Sequence, residues 1–414
     1  MTEAGRAVGD HVDVDVDVVI VGASLSAAAA AKRLVDAGLQ TVVLERKKLP
    51  RHKICSGILS PRGHRFLLEN FGPLPSNVLH EPTSCRGVTF HFPSMRRLSM
   101  DFLSGPTPHL YRKQSDYWAI RRSGAEVHDE TSFIGLETGT KQQVVHALHH
   151  RELRTYRARW VIGADGPASP VIRAVYPDYH QQIPWFLVGQ KLHPIEHCAL
   201  DPDYFHFWFH PKLGHYTWSH ARDGKQIVGV GFDLGKNFHR EQQKVLDYLR
   251  TQHDVRLGPA DDDEACTENF GLSLINRYVF GKGNVLITGQ AAGFLNMMAE
   301  GMSCALHSGA IAGEAVVEAS RSTVPVQTTY RRMIASEVKR CSDQWNPLMI
   351  AFRQPHEADF KSALAELPRR EQLGLVTEML SFIRLYAKLK WGRQIAGQAV
   401  ARMLRGGYPS DRWS

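Results

Sequence analysis

The amino-acid sequence predicts an α/β fold with a parallel sheet, a separate antiparallel sheet and C-terminal helices, and three observations support it. A β-branched run at 17–21 precedes a tight turn at 22–26, a helix of small residues at 27–37 and a second buried strand at 41–44. Strand, turn, helix and strand within about 30 residues form a βαβ unit. Residues 183–233 alternate in polarity, as antiparallel strands do. From Thr329 onward the apolar spacing is helical.

Later segments extend the parallel sheet. A strand at 154–162 leads into Gly163-Ala164-Asp165-Gly166, and a strand at 284–288 leads through Gly289 into a long helix of small residues. The segment 80–111 is rich in Pro, His and aromatic residues and indicates an insertion. We therefore predict one discontinuous domain over 17–80, 112–178 and 270–325, a second over 81–111 and 179–269, and a helical region over 326–414.

Composition limits the class of protein. Of 414 residues, 43% are hydrophobic and 22% charged, which is typical of a globular protein and excludes a fibre or a disordered tail. The formal net charge is +8, but no Lys/Arg block accompanies it, so we do not expect a nucleic-acid partner. The six cysteines are scattered without a C-x-x-C pair, which argues against a metal site and a secreted disulfide framework. No apolar run approaches the roughly 18 residues of a membrane span, and we predict a cytoplasmic protein.

The first turn is the first candidate binding site. The run Gly22-Ala23-Ser24-Leu25-Ser26-Ala27 resembles the dinucleotide fingerprint G-x-G-x-x-G/A, with Ser24 replacing the second glycine. The helix N-terminus after such a turn binds phosphate through its free N–H groups. Glu45 follows Gly22 by 23 residues, where an acidic side chain accepts hydrogen bonds from ribose hydroxyls. By itself the turn also fits a βαβ unit that binds nothing.

Three further segments are more specific. They are WVIGADGPAS at 160–169, NVLITGQAAGFLNMMAEG at 284–301, and Glu45-Arg46 followed by LPRHKICSGILSPR at 49–62. Together they resemble the p-hydroxybenzoate hydroxylase superfamily of FAD enzymes, and within it they are most similar to the geranylgeranyl reductase branch. The resemblance covers most of 17–320. It implies a Rossmann-like FAD-binding domain, FAD as cofactor and NAD(P)H as a transient reductant.

The resemblance also implies which residues contact FAD. Gly22, Ser24 and Ala27 face the pyrophosphate and Glu45 the adenosine ribose, whereas Gly301-Met302 lie at the flavin ring. Arg121, at the end of a predicted strand at 117–120, matches the FAD-contacting arginine of the family. The full set of cofactor-binding candidates is Gly22, Ala23, Ser24, Ser26, Ala27, Glu45, Arg46, Arg121, Asp165, Gly166, Gly289, Gln290, Gly301 and Met302.

Two departures from the family concern this site. Gln290 stands where the family has an aspartate, so a hydrogen bond to the ribityl chain would lose its charge-assisted strength. After Arg121-Arg122 the chain proceeds at once to Gly124, without the helix of about four turns that the family has there. We therefore expect a weakened adenine side of the site.

The substrate pocket is predicted from the reductase motif P-x-x-Y-x-W-x-F-P. Tyr216 and Trp218 match it, but His220-Ala221 replace the apolar end, which indicates a polar and aromatic pocket. For any single histidine, a place on the solvent face of its strand is the alternative. Cys55 lies in the loop that the family places near the isoalloxazine, yet a single cysteine is more often a packing residue than a nucleophile. The pocket candidates are Cys55, Tyr216, Trp218 and His220.

These observations favour an FAD-dependent monooxygenase that uses NAD(P)H and O2 to hydroxylate an aromatic substrate, either a small molecule or an aromatic residue of an acidic peptide or protein. The alternatives are an isoprenoid reductase of the geranylgeranyl reductase type and a redox-dead flavin-binding accessory protein. The segment 384–405 carries six basic and no acidic residues at helical spacing. Such a helix docks on an acidic protein or an anionic membrane, or it is a solvated face packed on the FAD domain.

Overall fold

The structure is a computed structural model that describes residues 12–91, 97–102, 105–179, 186–208, 210, 212–214, 216–233, 235–260, 263–268, 277–296 and 299–350. The segment 384–405 and most of the predicted C-terminal helical region lie outside the described residues. Among the described helices, none combines the length and the apolar character that a membrane span needs.

The first sheet is mainly parallel and runs in the order β17-β18-β10-β1-β2-β7, with β9 and β8 added as antiparallel strands beside β10. Its strands are β1 (Val12–Val21), β2 (Thr41–Leu44), β7 (Glu126–His128), β8 (Thr131–Thr138), β9 (Gln143–His149), β10 (Glu152–Gly163), β17 (Gly281–Lys282) and β18 (Val285–Ile287). Residues 18–21 of β1 lie between β10 and β2 and are buried, because both faces of a parallel sheet are covered by helices.

The second sheet is mainly antiparallel and runs in the order β15-β11-β14-β13-β12-β4-β5, with β16 paired to β11. Its strands are β4 (Gly87–His91), β5 (Arg97–Asp101), β11 (Phe186–Cys198), β12 (Tyr204–Trp208), β13 (Tyr216–Arg222), β14 (Lys225–Asp233), β15 (Val255–Leu257) and β16 (Asp263–Glu268). A small third sheet pairs β3 (Leu79–Cys85) with β6 (Thr107–Leu110). The predicted fold class is confirmed, while the domain limits stay a prediction.

Seven α-helices are present among the described residues. They are α1 (Leu25–Asp36), α2 (Pro61–Phe71), α3 (Arg112–Arg122), α4 (Pro170–Val175), α5 (Phe238–His253), α6 (Met302–Ser320) and α7 (Val326–Ile350). A β-carbon on Gly309 would lie 2.1 Å from the carbonyl oxygen of Ser26, and one on Gly313 would lie 2.6 Å from that of Ala30. These glycines let α6 pack closely against α1, and the order of the contacts shows that the two helices are parallel.

The strand predicted at 117–120 is wrong. These residues belong to α3, which packs against α1 and buries Ala119 and Ile120 in the core. A short apolar run does not distinguish a strand from a buried helical turn, and this ambiguity explains the error. No helix lies between Arg122 and the start of β7 at Glu126, as predicted, but α3 lies directly before this segment and ends at Arg122.

Candidate functional site

The turn between β1 and α1 packs against the end of β10. Gly22 has a φ of +96°, and a β-carbon there would lie 2.7 Å from the carbonyl oxygen of Ala164. Ser24 caps α1 by accepting from the Ala27 N–H, and its own hydroxyl donates to the Ala164 oxygen at 3.0 Å. The turn is thereby fixed beside Asp165 and Gly166, at the carboxyl ends of adjacent parallel strands, where α/β sheets bind their ligands.

The parallel packing of α1 and α6 directs two helix N-termini to the same side of the first sheet. The Ser26 hydroxyl donates to Thr288 at 3.2 Å, and a β-carbon on Gly289 would lie 3.1 Å from Ser26, so Gly289 and Gln290 are adjacent to the first turn of α1. Gly301 precedes the first residue of α6, Met302, which is buried. The first N–H groups of α1 lack acceptors within the helix and carry partial positive charge, which suits an anionic group. At α6 the Glu300 carboxylate already accepts from the first N–H groups, at 2.7 Å from the Ser303 nitrogen.

Four charged side chains lie next to the turn between β1 and α1 and form what we call the charged cluster: Glu45, Arg51, Arg112 and Asp116. Glu45 accepts from the Ala23 N–H at 3.1 Å and from Arg51 Nε at 2.8 Å. Asp116 accepts two hydrogen bonds from Arg112, at 2.8 and 2.9 Å, and lies 3.5 Å from Arg51. Burial disfavours the charge on Asp116, but Arg112 and Arg51 outweigh it and lower the pKa of that carboxyl.

Arg112 is the residue that the sequence analysis missed. It lies at the N-terminal end of α3, is only 6% exposed, and its guanidinium interacts with the Cys55 side chain. Arg121, the predicted FAD-contacting arginine, is exposed at the opposite end of α3, outside the charged cluster, and its contact with FAD stays a prediction. Arg46 is also exposed, directly after Glu45. The spacing of Arg112 and Asp116, four residues apart on one helix face, is the signal that would have identified the pair.

The residues 53–57, here called the cysteine loop, join the charged cluster to the second sheet. The carbonyl oxygen of Cys55 accepts from Gln190 at 3.3 Å and from Arg222 at 3.2 Å. The carbonyl oxygen of Ser56 lies 2.9 Å from His109 Nε2 and 3.1 Å from His220 Nε2. The Cys55 side chain thus contacts Arg112, while the loop backbone contacts the second sheet and β6.

His80, His109 and His220 form what we call the imidazole cluster, with ring centroids 4.9 Å apart between His80 and His109 and 5.2 Å apart between His109 and His220. Burial, together with the neighbouring His80, lowers the pKa of His109 to about 4 and outweighs its two carbonyl contacts. Burial likewise holds the pKa of His220 well below its ordinary value. Both rings are therefore neutral at pH 7. The Nδ1 of His80 lies 2.7 Å from a carboxylate oxygen of Asp223.

One face of the second sheet is aromatic. Tyr216, Trp218 and His220 alternate along β13 on that face, and Phe207 stacks on Tyr216 with ring centroids 5.5 Å apart. The rings lie flat on the sheet because the residues opposite them on β14 are glycines. A β-carbon on Gly229 would lie 2.0 Å from the Trp218 ring. The other face packs its apolar side chains on α5. The aromatic face is therefore on the cysteine-loop side of the sheet.

Two ring nitrogens on the aromatic face, Trp218 Nε1 and His220 Nδ1, are buried and have no hydrogen-bond partner among the described residues. Because His220 Nε2 faces a carbonyl oxygen, that nitrogen carries the proton and Nδ1 keeps its lone pair. The alternative that the histidines line a solvent face is wrong for His206 and His220, which are 3% and 2% exposed. His215 lies outside the described residues.

Asp165 is the remaining titratable candidate. Its Oδ2 accepts from the Val171 N–H at 3.1 Å, and the Ser169 side chain also interacts with the carboxyl. Its Oδ1 is buried, with no partner within hydrogen-bond distance among the described residues. Burial raises the pKa of Asp165 to about 6. A buried carboxyl of this kind can exchange a proton near neutral pH, next to the turn at Gly166, which has a φ of +84°.

FAD fits these residues. The N-terminus of α1 and the nearby guanidinium groups suit a diphosphate. Glu45 has lone pairs left for ribose hydroxyls, because a carboxylate accepts about four hydrogen bonds. Gly22, Gly289 and Gly301 carry no side chain that would keep a ligand from the backbone. The individual contacts with FAD stay a prediction.

Comparison with known proteins agrees with this fit. The FAD binding domain family matches residues 15–309. Among solved structures, a geranylgeranyl bacteriochlorophyll reductase-like protein from Thermoplasma acidophilum is 17% identical, with a TM-score of 0.70 over 93% of this chain and 98% of that chain. The p-nitrophenol 4-monooxygenase PnpA from Pseudomonas putida DLL-E4 is 14% identical, with a TM-score of 0.64 over 93% of this chain and 97% of that chain.

A curated relative, Protein CbrA of Escherichia coli O6:H1, is 27% identical over 315 residues, which are 73% of this chain and 81% of the relative. The two solved structures are 17% and 14% identical to this chain, and at that identity they show the fold alone. The family match extends through both sheets and reaches α6. The chain belongs to the FAD binding domain family and is an FAD-dependent oxidoreductase of the p-hydroxybenzoate hydroxylase type.

Proposed function

We propose that the protein is a single-component monooxygenase that uses NAD(P)H and O2 to hydroxylate an aromatic substrate. The observation that carries this proposal is the aromatic face, where Trp218 Nε1 and His220 Nδ1 are buried without partners among the described residues. An aliphatic ligand would leave both atoms unpaired, at the cost of burying polar groups. An aromatic ligand with a polar substituent matches both the stacked rings and the unpaired nitrogens.

FAD supplies, when bound, the transfer of electrons from NAD(P)H to oxygen. The residues of the chain bind FAD and orient it. The N-terminus of α1 and Glu45 hold the nucleotide part. Four side chains, Gln190, Arg222, His109 and His220, fix the backbone of the cysteine loop. We assign Asp165 the role of a proton donor or acceptor near the flavin, because its raised pKa lies near working pH.

An isoprenoid reductase is the second candidate. The run Cys55-Ser56-Gly57 and the pair Tyr216 and Trp218 favour it, since both match the reductase branch. The third interpretation, a redox-dead accessory protein, depended on Gln290 and on a missing helix. The helix α3 does not follow Arg122, but it begins at Arg112, and this weakens the second of these grounds.

The test uses the FAD-loaded protein with NADH or NADPH and a panel of phenols, indoles and acidic peptides containing Tyr or Trp. We expect one substrate to raise NAD(P)H consumption and to acquire one atom from ¹⁸O2. Saturation of a prenyl chain under nitrogen, with dithionite as reductant, would contradict the proposal and establish the reductase. A label from ¹⁸O2 in an aromatic product would exclude the reductase.

The partner and the location are also proposals. The net charge of +8 and the basic segment 384–405 favour an acidic peptide or protein substrate, or contact with an anionic membrane. The scattered cysteines favour the cytoplasm. Vesicle co-sedimentation with anionic and neutral lipids, comparing the full chain with a variant that has the six basic residues of 384–405 changed to Gln, tests the membrane contact.

A further inference from the structure

Two cysteines that are far apart in sequence meet in the core behind the candidate site. Cys304 lies in the first turn of α6 and Cys341 on α7, and both are 0% exposed. Their Sγ atoms are 3.8 Å apart. Neither residue has a part in the function proposed above, so the close pair needs its own explanation.

The pair is bordered by an ion-pair network. Glu337, one turn before Cys341 on α7, accepts from Arg62 at 2.7 and 3.1 Å and from Arg340 at 2.6 and 3.1 Å. Arg340 Nη2 also lies 3.4 Å from Cys304 Sγ and 3.8 Å from Cys341 Sγ. A guanidinium in contact with both sulfurs stabilises a thiolate on either of them.

The same network argues against a metal ion. Cys304, Glu337 and Cys341 each offer a ligand atom, and these atoms lie within 4.8 Å of one another. Both carboxylate oxygens of Glu337 are already paired with Arg62 and Arg340, however. A divalent cation would have to enter beside two fixed guanidinium charges and displace at least one of them, which makes the site unfavourable for a cation.

We propose that Cys304 and Cys341 form a redox-active dithiol that hydrogen peroxide oxidises to a disulfide joining α6 to α7. One thiolate attacks a peroxide oxygen and breaks the O–O bond, which yields a sulfenic acid and, with a proton, water. The second sulfur then attacks the sulfenic sulfur, the S–S bond forms and the S–O bond breaks, releasing a second water. The two thiols lose two electrons and two protons, and the peroxide is reduced to two waters.

The geometry permits this step with a small movement. A disulfide bond is about 2.05 Å long, so the two sulfurs must approach by roughly 1.8 Å, a distance that side-chain rotation on two facing helices covers. The hydrogen bond with Cys341 and burial raise the pKa of the Cys304 thiol well above its ordinary value. The thiolate is therefore scarce and the oxidation slow, and only a small oxidant reaches sulfurs that are fully buried.

The test uses the full-length reduced protein, treated with excess hydrogen peroxide, denatured and alkylated. We expect four of the six cysteines to be alkylated, and a non-reduced digest to contain one peptide pair joined through Cys304 and Cys341. Because the disulfide closes a loop between two packed helices, the melting temperature should rise by roughly 5 °C and return on addition of dithiothreitol.

Cys341→Ser should abolish both the cross-link and the temperature shift. Cys85→Ser is the matched control, because Cys85 is also buried and donates to the Gly87 carbonyl oxygen, and it should leave both results unchanged. If Cys341→Ser does not fold, the alkylation and the digest of the wild-type protein still test the proposal. Six alkylated cysteines after peroxide treatment, or one equivalent of zinc that protects both thiols, would overturn the proposal.

Discussion

The charged cluster and the imidazole cluster both contact the cysteine loop, but they keep their buried polar groups in different ways. In the charged cluster each carboxylate is paired with a guanidinium: Glu45 with Arg51, and Asp116 with Arg112. In the imidazole cluster burial keeps His109 and His220 neutral, and their ring nitrogens hold the loop backbone instead. A buried ionisable group persists either by pairing or by losing its charge, and this protein uses both solutions around a single loop.

The difference predicts two separate responses to acid. The unfolded chain protonates a histidine near pH 6.5, whereas folded His109 does so only near pH 4, so its contribution to stability is lost as the pH falls between these values. The pKa of Asp116 is lowered in the folded state, so its contribution is present above the ordinary carboxyl pKa of about 4 and is lost only as the pH falls through the lowered value. The imidazole cluster therefore weakens first.

The largest expected effect is that of removing one charge from the charged cluster. Asp116→Ala leaves the buried guanidinium of Arg112 without its partner, and we expect the free energy of unfolding to fall by about 3–5 kcal/mol. Urea denaturation at pH 7.5 measures this. Glu126→Ala, which removes the exposed partner of His128, is the control and should change stability by about 1 kcal/mol or less. A similar change in both variants would mean that the buried pair has no special role.

Next is the effect of Glu45 on cofactor affinity. Glu45→Ala removes the predicted acceptor for the ribose hydroxyls, and we expect FAD to bind about ten- to a hundredfold more weakly, in line with roughly 1.5–3 kcal/mol for a hydrogen bond to a charged group. Gly22→Val should also lose FAD, because a β-carbon there would lie 2.7 Å from the Ala164 oxygen. Fluorescence titration of the apoprotein measures both, with Lys48→Ala as the exposed control. Unchanged flavin affinity would show that FAD does not contact this turn.

The pH response of His109 tests the imidazole cluster. As the pH falls from 6.5 to 5.0, the lowered pKa of His109 decreases the free energy of unfolding by up to about 2 kcal/mol, since one pKa unit corresponds to roughly 1.4 kcal/mol. His109→Gln has no such titration and should show a smaller loss over the same range, measured by urea denaturation at each pH. His146→Gln, in which a less buried histidine is changed, should retain the slope of the wild-type protein. Equal slopes in all three proteins would refute the neutral imidazole cluster.

The smallest effect is expected at Gln290, which belongs to neither cluster. Gln290→Asp should retain or tighten FAD binding, because it restores a charged acceptor at the predicted ribityl contact. Gln290→Leu should weaken binding by about 0.5–1.5 kcal/mol, the net value of one hydrogen bond. Identical affinity of the three proteins would place the side chain away from the cofactor.

Local sequence signals were sufficient for the first sheet and for the turn. The β-branched run at 17–21, the small residues after it and Glu45 predict β1, α1 and the acceptor at the end of β2, because each feature depends on neighbours within about 30 residues. The same reasoning was wrong at 117–120, where an apolar run of four residues does not distinguish a helix from a strand. Because of that error the prediction did not consider Arg112, which begins the same helix and lies in the charged cluster.

The sequence by itself determined the fold class, the FAD family and the positions of both sheets, because periodicity and ordered motifs are properties of the chain. Only the tertiary structure decided which distant side chains are partners: Arg112 with Cys55, His109 and His220 with the same carbonyl oxygen, and Cys304 with Cys341. Whether a histidine is charged or a cysteine has a partner depends on burial and on neighbours that the order of residues does not reveal. These contacts arise where β6, the second sheet and α7 fold onto the first sheet, and burial there sets the charge of each group.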